Sequence, residues 1–179
     1  MKINRHIDQL DTILSGYEDI IAEDYTGYRN HVYRMVHFCL ALRDMDEDEQ
    51  RKVYIAAAFH DIGIWLQNTV DYIEPSIPPA MQYLQDNQLQ HWGDEIARMI
   101  SEHHKVREYV DETMPLVEVF RRGDLVDFSH GLFRFGIDKA FIDSVQDAFP
   151  NAGFHKSLAR RAGKWFIKHP FNPLPMMKL

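Results

Sequence analysis

Tyr54-Ile55-Ala56-Ala57-Ala58-Phe59-His60-Asp61-Ile62-Gly63 is an apolar helical run that ends on an imidazole, a carboxylate and a turn. Placing His60 and Asp61 at the end of so apolar a segment incurs a desolvation penalty that core packing alone would not select, and a bound cation would offset it. Outward from the pair, His31 stands earlier, His103 and His104 stand later, and Asp124 comes last in Phe120-Arg121-Arg122-Gly123-Asp124-Leu125-Val126-Asp127. The order His, His-Asp, His-His, Asp is that of a dispersed metal site. One adjacent His-Asp pair is common by chance, so the weight rests on the set and on where each member falls on its helix.

Around this run the chain shows helical periodicity almost throughout and hardly any strand alternation. The expectation is an all-α, compact multi-helix bundle with the metal site between core helices. Helices are expected near 3–22, 26–43, 47–62, 77–87, 93–106, 114–129, 138–148 and 153–168. Asp46 and Glu49 have the spacing of an N-cap and its N3 acid, which opens the third helix. The acidic run from Asp44 to Glu49 is not a calcium loop: its sixth position is Glu49 where a glycine is needed, and its twelfth is Ile55 where a glutamate is needed. Glu74-Pro75-Ser76-Ile77-Pro78-Pro79 reads as a stiff lead-in to the next helix, because prolines are tolerated in a first turn. The apolar, Pro-rich tail from Pro170 to Met177 cannot continue a helix and is expected to pack on its own domain or on a partner subunit.

Helix faces show whether the candidate ligands point inward. His31 shares a stripe with Met35, Cys39 and Leu42, whereas His37 points elsewhere. Ile96, Met99, Ile100 and His103 follow the i, i+3, i+4, i+7 rule, which puts His103 inside an apolar stripe and His104 at its margin. Asp124 lies four residues after Phe120 and seven after Val117, so it projects from a core-facing stripe. A hydrogen-bonded core histidine or a capping acid is the ordinary explanation of any one of these. Four helices each aiming a His or Asp inward favour a metal.

With 179 residues and 45% hydrophobic composition, the chain is long enough for one globular domain, taken as 1–179, with the metal-site core at about 26–128 and further helices and the tail at 129–179. A net charge of -7 argues against a broad nucleic-acid footprint, which needs Lys and Arg against phosphates. A small anionic substrate held by a local cluster is compatible with it. The single cysteine, Cys39, excludes an intrachain disulfide and a Cys-rich zinc site and reads as a packing residue. No signal core or membrane-length apolar run is visible, and the expected location is cytoplasmic. No internal repeat, phosphate loop, dinucleotide fingerprint or Gly-x-Ser-x-Gly elbow occurs.

Tyr28-Arg29-Asn30-His31-Val32-Tyr33-Arg34, Ala58-Phe59-His60-Asp61-Ile62-Gly63, Ile100-Ser101-Glu102-His103-His104 and the late Asp124 together resemble the HD-domain superfamily of metal-dependent phosphohydrolases, over roughly residues 26–128. The resemblance implies an all-helical fold in which His31, His60, Asp61 and Asp124 ligate a primary metal. His103 and His104 would belong to a second metal position or bind substrate phosphate. Ile64 stands where many members have Lys, so no lysine role carries over there. Gly123 stands where Ala often precedes the late Asp, a departure expected to leave room for close approach to an ion.

Two histidines and two carboxylates suit divalent Fe, Mn, Co, Ni or Zn without choosing among them, one or two ions per chain. The implied reaction is hydrolysis of a small phosphate ester such as a nucleotide by metal-activated water, with Asp61, His103 and Arg34 as catalytic candidates. Asp61 could bridge two ions or orient the water. Arg34 lies three residues after His31 and is the first choice for a phosphate contact, followed by Lys105, Arg107 and Arg121. A di-iron oxygenase of the same fold is the rival. It needs an extra ligand between the His-Asp pair and the later His, for which Glu74 and His91 are the candidates, and Tyr28 could close over such a site. A ligand-sensing or interaction domain is a third reading, whose mark would be loss of a primary ligand. Trp65, Asn68, Asp71 and Tyr72, in the loop 64–76, are candidates for ligand contact or packing.

Overall fold

Asp46 opens the helix that carries the decisive run. Its carboxylate accepts from the Glu49 N–H at 2.8 Å while the Glu49 carboxylate accepts from the Asp46 N–H at 3.2 Å, the reciprocal cap its spacing predicts. The computed structural model describes residues 2–177. Among these the elements are α1 (Asp8–Ser15), α2 (Glu18–Ile21), α3 (Tyr25–Leu42), α4 (Glu47–Phe59), α5 (Gly63–Leu66), α6 (Ile73–Asp86), α7 (Gly93–Glu102), α8 (Pro115–Phe128), α9 (Lys139–Ala148) and α10 (Phe154–Lys168). Short 3-10 turns cover Ala22–Asp24 and Gln90–Trp92, and there is no β-strand among the described residues. The fold is all-α. Among the described residues no helix is long and apolar enough to cross a membrane.

The core is centred on α3 against α8, flanked by α4 and α7. Tyr28, Val32, Met35 and Cys39 of α3 are fully buried, as are Val117 and Phe120 of α8 and Ile96, Met99 and Ile100 of α7. One apolar cluster runs from Ile7 to Phe154 and includes all of these. Gly123 sets the α3–α8 approach: a Cβ there would lie 2.4 Å from Cys39 Sγ and 3.1 Å from the Met35 carbonyl oxygen. Its space is therefore filled by a neighbouring helix and not kept open for an ion, which corrects the sequence reading. Gly63 does the same between α5 and α6, where a Cβ would lie 2.4 Å from the Tyr72 carbonyl oxygen.

Four helix boundaries differ from expectation, each for a local reason. The helix expected at 3–22 is broken. Residues before α1 are tied outward by hydrogen bonds from Asn4 N–H to His37 Nε2 and from Ile7 N–H to the Tyr33 hydroxyl, both 3.0 Å. The chain turns again at Gly16, the cap of α1. The third helix stops at Phe59, so that His60 and Asp61 lie in a turn before α5. The fourth begins at Ile73, earlier than the prolines suggest, because Tyr72 and Ile73 seat against Ile64. Pro78 and Pro79 then sit inside the helix, two positions without an N–H donor. Finally, α7 ends at Glu102, and His103 and His104 occupy the adjoining turn.

Candidate metal centre

Each candidate ligand is delivered by a different part of the core. His31 comes from the middle of α3, His60 from the C-cap of α4, Asp61 from the α4–α5 turn, His103 and His104 from the turn after α7, and Asp124 from α8. All except His104 are buried, with His60 at 0% and Asp61 at 3% exposure. The break after Glu102 explains why His103 and His104 can act together. On a continuous helix adjacent side chains diverge by about 100°, yet here the two rings lie 4.1 Å apart between centroids. His104 therefore reaches the cluster instead of standing at a helix margin.

The protonation pattern of the three buried imidazoles decides what the cluster can hold. His60 Nδ1 lies 2.8 Å from the Ala57 carbonyl oxygen and His103 Nδ1 lies 2.7 Å from that of Ile100. A carbonyl only accepts, so each Nδ1 carries the proton and each Nε2 presents a lone pair. His31 Nδ1 donates in the same way to Asp127 Oδ2 at 2.6 Å. The lone pairs converge. His31 Nε2 and His60 Nε2 are 3.0 Å apart, and Asp61 Oδ2 is 3.3 Å from His60 Nε2 and 3.8 Å from His31 Nε2. On the other side Asp61 Oδ1 lies 3.5 Å from His103 Nε2, and both atoms are buried without a hydrogen-bond partner. Asp124 closes the group, Oδ1 being 3.6 Å from His31 Nε2 and Oδ2 3.8 Å from His104 Nδ1.

Acceptors facing acceptors in a dry site repel, and only a proton or a cation between them relieves it. This buried His/Asp cluster fits a divalent metal site. His31, His60 and Asp61 form one group close enough to share an ion, and Asp61, His103 and His104 form another. Asp61 is common to both.

Electrostatics follow the same layout. Burial lowers the His31 pKa, against the opposing pull of Asp127, which favours the neutral ligand form. Burial alone would raise Asp61, but His60 and His103 beside it hold it well below the ordinary carboxylate range. Asp124 lacks such donors, and burial pushes its carboxyl up to about 7. Burial together with His103 holds His104 well below an ordinary histidine.

Other sequence candidates lie elsewhere. Arg34 is buried and turned away from the cluster: its Nε and Nη2 donate to the two Asp127 oxygens and its Nη1 donates to the Phe149 carbonyl at 2.9 Å. That corrects the reading of Arg34 as a phosphate contact, because its guanidinium is spent on Asp127. Glu74 and His91 are exposed, His91 against the Trp92 ring, so neither adds a ligand. Arg107 is also exposed. Lys105 and Arg121 face the cavity beside the cluster, but Arg121 is held by both Glu118 oxygens at 2.7 and 2.6 Å. The Tyr28 hydroxyl donates to the Ala58 carbonyl at 2.9 Å, which makes it a packing residue. Of the 64–76 loop, Tyr72 touches the site, sharing a 2.6 Å hydrogen bond with His104 Nε2. Trp65 and Asn68 are bonded to Asp24 and Arg161, and Asp71 is exposed.

Asp127 is the functional residue that sequence reasoning missed. It is 1% exposed, and by orienting the His31 ring it fixes which nitrogen faces the centre. Its position three residues after Asp124 on one helix was the available signal. Phe154 stacks on the His31 ring at 4.4 Å and has no such signal, because α10 is distant in sequence.

The HD-domain family model matches residues 28–127. The chain belongs to the HD-domain family, the superfamily of metal-dependent phosphohydrolases. Neither the curated proteins nor the solved structures yield a match.

Proposed function

We propose that this chain is a metal-dependent phosphohydrolase that cleaves a small phosphate ester with a metal-activated water. His31, His60, Asp61 and Asp124 would hold one divalent ion, and Asp61, His103 and His104 a second. The convergence of lone pairs from His31, His60 and His103 on an ionised Asp61 carries the reading. When bound, the ion acidifies water and polarises the phosphoryl oxygen.

The chain's own residues supply the rest. Asp127 and the carbonyls of Ala57 and Ile100 fix the imidazole tautomers before any ion arrives. Burial keeps bulk water from screening the charges that form on phosphorus. Lys105, which lines the cavity and has its Nζ 3.9 Å from Glu102 Oε2, would meet a phosphate oxygen. The described residues act as one domain on this reading, supported by the apolar cluster from Ile7 to Phe154.

The di-iron oxygenase reading draws on the same second group of ligands. It is disfavoured by the exposure of Glu74 and His91, the two candidates for its extra ligand. A sensor domain is disfavoured because no primary candidate is missing. Metal analysis of protein purified without chelator, phosphate release with added Mn or Fe, and dioxygen uptake together decide. Phosphate release abolished by chelator is expected; a coupled di-iron EPR signal with dioxygen uptake and no phosphate release refutes hydrolysis.

A further inference from the structure

A cavity of about 720 Å³ opens directly onto His31, Asp61, His103, His104 and Asp124. That volume lies within the range of small-molecule sites, roughly 300–1,000 Å³. Beyond the cluster its wall is apolar, built from Leu125 and Phe128 of α8, Phe133 of the loop after it, Val70, Leu158 of α10 and Met176 of the tail. Among the described residues no Ser, Thr, Asn or Gln lines it. Phe128 and Phe133 are 56% and 51% exposed, so this apolar surface faces water unless a ligand covers it.

The few polar groups in the wall are largely engaged. The Tyr72 hydroxyl is shared with His104, Arg121 with Glu118, and His155 Nδ1 with Asn151, while His155 Nε2 is buried without a partner. Among the described residues Lys105, its Nζ 3.9 Å from Glu102 Oε2, is the lining cation able to turn toward a ligand. A polyphosphate would bring several negative charges to one lysine, and a nucleobase would lose its water hydrogen bonds against Phe, Leu and Val with little beyond His155 Nε2 to replace them.

We infer that the substrate is a phosphate monoester of an apolar alcohol, its phosphate at the His/Asp cluster and its hydrocarbon or aromatic body in this cavity. The inference rests on the phosphohydrolase reading and narrows its substrate away from nucleotides. In the reaction the water oxygen bonds to phosphorus, the bond from phosphorus to the ester oxygen breaks, and a proton from the water ends on the leaving alcohol. Inorganic phosphate and the free alcohol are the products.

The experiment uses the full chain loaded with Mn and a series of butyl, hexyl and octyl phosphates beside AMP and ATP. Phosphate release gives kcat/KM, and calorimetric titration with octylphosphonate, which cannot be hydrolysed, gives binding without turnover. Expected is a kcat/KM that rises by up to about four-fold per methylene until the cavity is filled, with AMP and ATP poorer than octyl phosphate. Phe133→Ser and Leu158→Ser should flatten that dependence with metal content unchanged. A flat dependence, or AMP preferred to octyl phosphate, overturns the apolar substrate and leaves hydrolysis standing. No phosphate release from any ester, with octylphosphonate bound more tightly than butylphosphonate, overturns hydrolysis and keeps the apolar ligand. Absence of phosphonate binding overturns the apolar ligand whatever the turnover.

Discussion

Replacing Asp127 with Asn separates two jobs that one carboxylate performs. It receives three hydrogen bonds, one from His31 Nδ1 and two from Arg34, and it is the counter-charge of a guanidinium that is itself 2% exposed. Asparagine is nearly isosteric but offers one acceptor oxygen, and its amide nitrogen would confront a donor. Arg34 keeps its bond to the Phe149 carbonyl and at most one to the amide oxygen, and it loses its counter-charge. Stranding one partner of a buried ion pair costs about 3–5 kcal/mol, and at about 2–4 °C per kcal/mol the melting temperature of a chain this size falls by roughly 6–20 °C. Independently, His31 loses its orienting carboxylate, a change worth about 10- to 100-fold in metal affinity. The assay is thermal unfolding of chelator-treated protein, together with calorimetric titration of Mn at a temperature where the variant is folded. Adding Arg34→Met removes the stranded cation. The double variant should regain much of the lost stability but not the lost metal affinity, because a neutral amide cannot replace the carboxylate on His31. Wild-type affinity in Asp127→Asn would refute the orienting role, and wild-type stability would refute the buried-charge argument.

Four further outcomes are expected. Asp61→Ala should abolish metal retention, measured by elemental analysis, while the helical circular dichroism persists; full metal content would sink the assignment of Asp61 to both ions. With the Asp124 carboxyl at about 7 in the metal-free protein, an ion must displace a proton below that pH, so log affinity should fall by about one per pH unit between pH 7 and 5; an affinity independent of pH there contradicts it. Gly123→Ala forces a Cβ to within 2.4 Å of Cys39 Sγ and should destabilise by about 1–3 kcal/mol, partly restored by Cys39→Ala in urea unfolding. His37 is buried, its pKa is lowered by burial, and it holds Asn4 N–H with a neutral Nε2. Its contribution is complete above the ordinary histidine pKa of 6.5 and is lost as pH falls through the lower folded value. The melting-temperature gap between wild type and His37→Gln should therefore shrink from pH 7.5 to 5, and a gap that widens would reverse the sign of the argument.

Periodicity within a single helix was legible in the sequence because it is a local property. The stripe His31, Met35, Cys39 gives one inward face of α3, Ile96, Met99, Ile100 and His103 give one for α7, and Asp46 with Glu49 marks the start of α4. Those patterns, with the His60-Asp61 pair closing an apolar run, determined the all-helical class and the residue types available to a metal. Beyond a helix end that regularity is lost. The turn after Glu102 brings His103 and His104 to one side, and no 3.6-residue repeat describes a turn. Partner choice is equally nonlocal: Arg34 sits one turn from His31, yet whether it meets a phosphate or Asp127 depends on how α3 crosses α8, which the side-chain clearance at Gly123 controls. The apolar cavity joins α8, the loop after it, α10 and the tail around a cluster whose members are spread in sequence from His31 to Asp124. Sequence determined which groups this protein can bring to an ion; only the packing of its helices decided which of them meet there, which are spent on each other, and what shape of molecule can lie beside them.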